Sequence, residues 1–120
     1  MIVYHGTQTE KLVPEKTTSS RYGMPVLFFT DNPQLAAMYQ SPNGSLFKAD
    51  ITPDKIIDFK GELTHSRHFR NLIYKLHQKD YGVVMIDNVY DRPDASHPLE
   101  KSIIMVVFDF KKIHNLQPCI

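Results

Sequence analysis

One segment of this chain carries a clear helical period. After Ser66, the apolar residues Phe69, Leu72, Ile73 and Leu76 recur at i, i+3, i+4 and i+7, the spacing that lines one face of an α-helix. Elsewhere the apolar residues gather in short β-favouring runs: Met1 to Tyr4, Val26 to Phe29, Ser45 to Ile51, Val83 to Ile86 and Ile103 to Phe110. A second, shorter helix is predicted over Gln34 to Tyr39, because Asn32 can cap it and Pro33 suits its first turn. Strands that flank a short early helix and a longer middle one, without regular βαβ alternation, give the class α+β.

The connecting segments read as follows. Gly6 to Ser20 is polar, contains Pro14 and is longer than an ordinary connection, and long ordered loops are often functional. Thr52 to Asp58 reads as a connector whose Ile56 and Ile57, with Phe59 beyond them, dock on the core. Asp87 reads as the polar end of the Val83 to Ile86 strand, Asn88 to Pro98 as an exposed loop, and Lys111 to Ile120 as a tail.

Length and composition bound the rest. At 120 residues and 42% hydrophobic content, one core and a single domain over residues 1–120 are expected, with no metal or disulfide staple required. The one cysteine, Cys119, excludes an intrachain disulfide framework and fits a reducing compartment, so a cytoplasmic protein is expected, the cytoplasm of a host cell included. Lys and Arg total 14 against 13 for Asp and Glu, so no net field draws the chain to nucleic acid or membrane. No window approaches the roughly 18 apolar residues of a membrane span.

Several chemistries drop out on spacing. The six histidines are scattered without an HExxH pattern or a cysteine pair, so no metal site is expected. There is no GxSxG elbow, and neither GxGxxG nor Walker spacing occurs among the five glycines. What remains is Tyr4-His5-Gly6-Thr7 at the end of the first strand, set against Phe28-Phe29-Thr30-Asp31 and Tyr39.

Each of these has a plain reading. His5 would be a backbone-bonded histidine, Tyr39 core packing, Arg21 a solvated charge and Asp87 a turn cap. Of Phe28 and Phe29, only one should line a cleft, since successive strand residues face opposite ways. Arg67, Arg70, Lys75 and Lys79 read as the wet face of the middle helix, or, with Lys11, Lys16 and Arg21, as a patch for an acidic partner.

The order of these pieces adds a further reading. A first strand ending in His5-Gly6-Thr7, then Arg21-Tyr22-Gly23, Leu27-Phe28-Phe29-Thr30, Ala36-Ala37-Met38-Tyr39, Tyr81-Gly82-Val83-Val84 and Val106-Val107-Phe108-Asp109 with Ile113 resembles the diphtheria-toxin-like, His-Tyr-Glu class of ADP-ribosyltransferases of small bacterial and phage type. The resemblance implies a split mixed and antiparallel sheet with a few short helices and an NAD cleft, NAD being a co-substrate. It implies a mono-ADP-ribosyltransferase that passes ADP-ribose to a macromolecular acceptor, protein rather than nucleic acid, as an effector, toxin or phage counter-defence protein such as an anti-CRISPR.

By the same resemblance His5 meets the nicotinamide ribose, Gly6 grips the carboxamide through its backbone, and Thr7 adds a contact on the adenosine side. Arg21 meets the pyrophosphate, Tyr39 stacks on the nicotinamide with Phe28 or Phe29 opposite, and Thr30 seats the ribose. The glutamate that the family carries at the start of its closing strand matches Ile104 here. Asp87 is the preferred substitute acid and Glu100 the other. The alternatives are a catalytically silent partner-binding module of the same shape, or an NAD glycohydrolase.

Overall fold

A computed structural model describes residues 1–119. The fold is mixed α+β: strands β1 (Ile2–Gly6), β2 (Leu27–Thr30), β3 (Leu46–Asp50), β4 (Lys55–Leu63), β5 (Val83–Asp91), β6 (Glu100–Val107) and β7 (His114–Pro118), with helices α1 (Pro33–Met38) and α2 (Arg67–Gln78). The strands form one mixed sheet in the order β4-β5-β6-β2-β1-β3-β7. Its neighbours are antiparallel except β4 and β5. No helix among the described residues is long and apolar enough to cross a membrane.

Both helices start where their caps dictate. The Asn32 side chain accepts from the amides of Gln34 and Leu35, with Pro33 opening the helix. Ser66 accepts from the amide of Phe69. Each such cap satisfies amides that the helix itself leaves unbonded, worth about 1 kcal/mol. α2 then buries Phe69, Ile73 and Leu76 and turns its charged residues outward.

The continuous apolar run of β6 follows from cover on both faces of the sheet. Ile104 and Val106 pack with Leu35, Tyr22 and the α2 residues Phe69, Ile73 and Leu76. Met105 and Val107 pack on the opposite face with Val3, Leu27, Phe29 and Ile51, closed by Leu12, Phe110, Ile113 and Leu116.

Four segments differ from the sequence-based expectation. The strand expected over Ile103 to Phe110 is β6 at Glu100–Val107, and Phe110 opens a short helical turn instead. The connector at Thr52 to Asp58 is the start of β4, an edge strand parallel to β5. An edge strand is half solvated, which is why Lys55, Ile56 and Lys60 are exposed and no alternation shows. The strand at Val83 does not end at Asp87 but continues to Asp91 after a register shift. Asn88 absorbs the irregularity with φ 57°, opposite Lys60 (φ 56°) and Gly61 (φ 76°) in β4. Asp58 stitches the two bends, its Oδ1 accepting from the amide of Lys60 at 2.8 Å and from Asn88 Nδ2 at 3.3 Å. The tail contains β7, which adds to the free edge of β3.

The two edges of β2 are unequal. Against β6 it pairs at Leu27↔Val107, Phe28↔Val106, Phe29↔Met105 and Thr30↔Ile104. Against β1 the paired position is Tyr4↔Thr30 alone, while β1 itself is fully laddered to β3. The sheet is therefore loosely joined at the β1–β2 seam.

Candidate active site

A cavity of about 250 Å³ opens at this seam. β1 contributes Tyr4, His5 and Gly6, and β2 contributes Phe28, Phe29 and Thr30. Both phenylalanines are among its lining, but Phe28 packs on the face that carries Tyr39, Leu35 and Ile104, whereas Phe29 is 1% exposed and packs on the opposite face with Val3 and Met105, so the two side chains alternate as strand residues do. α1 and its C-cap add Leu35, Ala36 and Tyr39, the preceding loop adds Arg21 and Tyr22, and the far wall is Thr64, His65, Asp91 and Ile104.

His5 Nδ1 lies 2.6 Å from the carbonyl of Phe28. Only a protonated nitrogen can face a carbonyl, so Nδ1 donates and, in the neutral ring, Nε2 is an acceptor. Nε2 has no hydrogen-bond partner among the described residues. Burial pushes the imidazole pKa below its ordinary value, against an upward pull from the Phe28 carbonyl. The Phe29 ring flanks the imidazole, with centroids 5.4 Å apart.

Gly6 has a packing reason of its own. A β-carbon there would sit 2.1 Å from the Ala36 carbonyl oxygen, so only glycine lets α1 rest on the end of β1 and bring Tyr39 to the cavity. Thr7 does not line the cavity. It is buried, and its hydroxyl is spent on the backbone of Thr9 and Ser45, tying the loop after β1 to the start of β3.

Tyr39 donates its hydroxyl to Asp91 Oδ1 at 2.8 Å. Burial, and then the neighbouring Asp91 carboxylate, raise the Tyr39 pKa, so it stays a phenol. Thr64 also donates to Asp91 Oδ1, and His65 Nε2 lies 3.6 Å from that oxygen. Asp91 is 6% exposed. Its Oδ1 is thus pinned by two hydroxyls, while Oδ2 has no hydrogen-bond partner among the described residues. Thr30 is buried and accepts from the amide of Asn32 at 3.2 Å, holding the turn into α1.

Arg21 stands at the rim. Its Nη1 is 3.3 Å from His65 Nδ1 and its guanidinium lies 5.8 Å from the Tyr22 ring centroid. It forms no ion pair with a carboxylate among the described residues, which leaves the charge available to a ligand.

No protein-family model matches the chain, and neither the curated proteins nor the solved structures contain a match. What the site can do therefore rests on its own geometry.

The two acids singled out in the sequence are placed elsewhere. Asp87 is exposed on β5, with its Oδ1 accepting from the amide of Asn88 at 2.7 Å, and it does not line the cavity. Glu100 opens β6 and lies outside the lining, directly across the ladder from Asp91. The carboxylate in the cavity is Asp91, with Thr64 and His65 beside it. Its signal in the sequence is the alternation Val89-Tyr90-Asp91, a strand pattern interrupted by the bend at Asn88.

Among the described residues no group of three or more His, Cys, Asp or Glu side chains is placed to hold a metal ion.

Proposed function

We propose that this cavity cleaves NAD and that the chain is a mono-ADP-ribosyltransferase of the kind its sequence resembles. The observation that carries the reading is the meeting of His5, Tyr39 and the buried carboxylate of Asp91 in one mostly apolar cavity with Arg21 at its rim. The aromatic walls, Phe28 and Tyr39, suit a flat nicotinamide. His5 Nε2 can accept a ribose hydroxyl, and Arg21 can fork onto the pyrophosphate that extends beyond the cavity.

The proposed reaction uses those positions. The glycosidic C–N bond breaks with its electron pair leaving on the nicotinamide nitrogen, and positive charge develops on the ribose C1′ and ring oxygen. Asp91 stabilises that charge electrostatically, and its fixed Oδ1 costs no reorganisation at the moment of cleavage. An acceptor nucleophile then bonds to C1′ and loses its proton to solvent. Tyr39 and Thr64 hold the carboxylate in place.

Incubation with NAD and chromatographic measurement of released nicotinamide, with and without cell lysate, tests the reading. Wild type should release nicotinamide, Asp91→Asn should lose at least 100-fold, on the order of one electrostatic stabiliser, and Asp87→Asn and Glu100→Gln should stay active. Loss in Glu100→Gln with retention in Asp91→Asn would move the acid one position across the ladder. No release under any condition would defeat the reading.

A second reading, a silent partner-binding module, is favoured by one observation: Ile104, an apolar residue, lines the cavity where the resemblance calls for glutamate. It predicts NAD-independent partner binding that survives Asp91→Asn. Should free ADP-ribose form without any acceptor, water is the nucleophile and the activity is that of a glycohydrolase.

A further inference from the structure

We infer that the strip running from the cavity rim across α2 is a docking track for a single-stranded polynucleotide, which presents the acceptor to the cavity. The inference rests on the transferase reading above and names nucleic acid as its acceptor class, in place of the protein acceptor that the resemblance implies.

α2 contains no acidic residue, and Arg67, Arg70 and Lys75 are exposed along it, with exposed Lys79 at its C-cap. None of these four, nor Arg21, forms an ion pair among the described residues. The acids nearby are Asp91, buried behind His65 at the cavity end, Glu62, paired with His68 at 2.8 Å, and Asp80 just beyond the cap. In a chain whose formal net charge is +1, this is a local concentration of free cations. Two of them, Arg67 and Arg70, sit near the N-terminal end of the helix, where the macrodipole disfavours positive charge. Helix stability therefore does not account for their placement.

The strip is joined to the cavity by contacts. Arg70 Nη2 donates to the carbonyl of Arg21 at 3.5 Å, and the Tyr74 hydroxyl donates to the carbonyl of Tyr22 at 3.4 Å. Aromatic rings step outward in sequence: Phe28 to Tyr22 at 5.5 Å, then Tyr22 to Tyr74 at 5.7 Å between centroids. Phe28 and Tyr22 line the cavity, and Tyr74 is 38% exposed at the outer end.

Cations beside one partly exposed aromatic ring, Tyr74, match a strand of phosphates carrying unstacked bases. An acidic peptide would answer the charge but leave the aromatic face unused, and a duplex would hide its base faces. Phosphate contacts and stacking carry little sequence preference, so DNA and RNA strands should bind alike.

Fluorescence anisotropy with labelled oligo-dT and oligo-rU of about 12 nucleotides, within the footprint of small single-strand modules, tests this against a duplex of equal length and polyglutamate. Both strands should bind more tightly than the duplex, and affinity should fall steeply as salt rises from about 50 to 200 mM. The double variant Arg67→Gln/Arg70→Gln should weaken binding at least 10-fold and flatten the salt slope. Tyr74→Phe should retain binding and Tyr74→Ala should weaken it by about 5-fold or more. Lys111→Gln, in the turn before β7, should change nothing.

Wild-type affinity in the double variant, or polyglutamate binding where the strands do not, would overturn the inference. NAD binding, measured by calorimetry on the same double variant, should equal wild type. Strand binding with no NAD cleavage would sink the transferase reading and leave the track, whereas NAD cleavage with no strand binding would sink the track alone.

Discussion

The two edges of β2 divide the labour of the molecule. Along β6 every residue of β2 has a partner, both faces are covered, and the paired side chains are apolar apart from Thr30. Along β1 one position is paired, and the space that opens is lined by His5, Tyr39, Thr64 and Asp91. A backbone carbonyl beside such an opening still needs a donor. His5 supplies it to Phe28 with one ring nitrogen and keeps the other free. Incomplete pairing therefore opens a cavity within the sheet, and the side chain that repairs the ladder also lines it.

If the zipped seam carries the stability, the largest effect should come from hollowing it. Met105 is wholly buried on β6 opposite Phe29, and Met105→Ala should cost about 2–5 kcal/mol, read from the urea midpoint. Gly6→Ala comes next. The new methyl would meet the Ala36 carbonyl at 2.1 Å, backbone against backbone, so α1 must lift from β1 at a cost of about 1–3 kcal/mol. Nicotinamide release should fall with it, since Tyr39 rides on that helix. Tolerance of alanine with unchanged stability would show that the seam gives way freely and that α1 is not fixed by β1.

Asp91→Ala probes the loosened seam from its other wall. It deprives the Tyr39 and Thr64 hydroxyls of their shared acceptor, which should cost about 1–3 kcal/mol, less than Met105→Ala. A larger loss than at Met105 would reverse the comparison, making the polar cluster rather than the apolar seam the structural anchor. Asp91→Asn keeps an acceptor oxygen and should recover part of the stability while still failing to release nicotinamide, which separates the structural duty of the residue from the chemical one.

How much of this was legible in the sequence depended on whether a residue's surroundings are local. The caps at Asn32 and Ser66 and the period of α2 encode themselves within a few positions, and those helices form where the pattern places them, whereas the apolar run at Ile103 marks β6 but not its ends, which fall at Glu100 and Val107. His5, Arg21, Phe28, Phe29, Thr30 and Tyr39 do meet in one cavity. Asp91 was hidden because its strand is bent at Asn88 by a side-chain network with Asp58, a residue far away in the chain. A left-handed asparagine within an apolar run looks like a turn, so the acid beyond it reads as loop. Strands β4 and β7 were missed for a related reason: each is an edge strand held chiefly by backbone pairing, and backbone pairing leaves little trace in side-chain pattern. Gly6 was legible as a glycine required for close approach, but the structure gives it the α1 backbone as a neighbour.

The smallest effect expected is a pH dependence confined to the loosened seam. Burial holds the His5 pKa below the ordinary histidine value in the folded state, whereas the unfolded chain should titrate near 6.5. The folded protein then binds fewer protons than the unfolded one as pH falls below that point. The associated stability is fully present above about pH 6.5 and is lost progressively on acidification towards the depressed folded value. Thermal unfolding followed from about pH 7.5 to 5.5, the range in which histidine changes charge, should show a steeper decline for wild type than for His5→Gln. The carboxylates whose pKa values are lowered, Asp50, Asp54, Asp58 and Asp94, contribute their own acid loss only below about pH 4, outside that window. Met105→Ala should keep the wild-type slope, because no titratable side chain occupies the paired positions of the β2–β6 seam. Equal slopes for wild type and His5→Gln would mean that the imidazole is not enclosed, and with it the idea that the ladder's missing bond is made by a neutral histidine would fail.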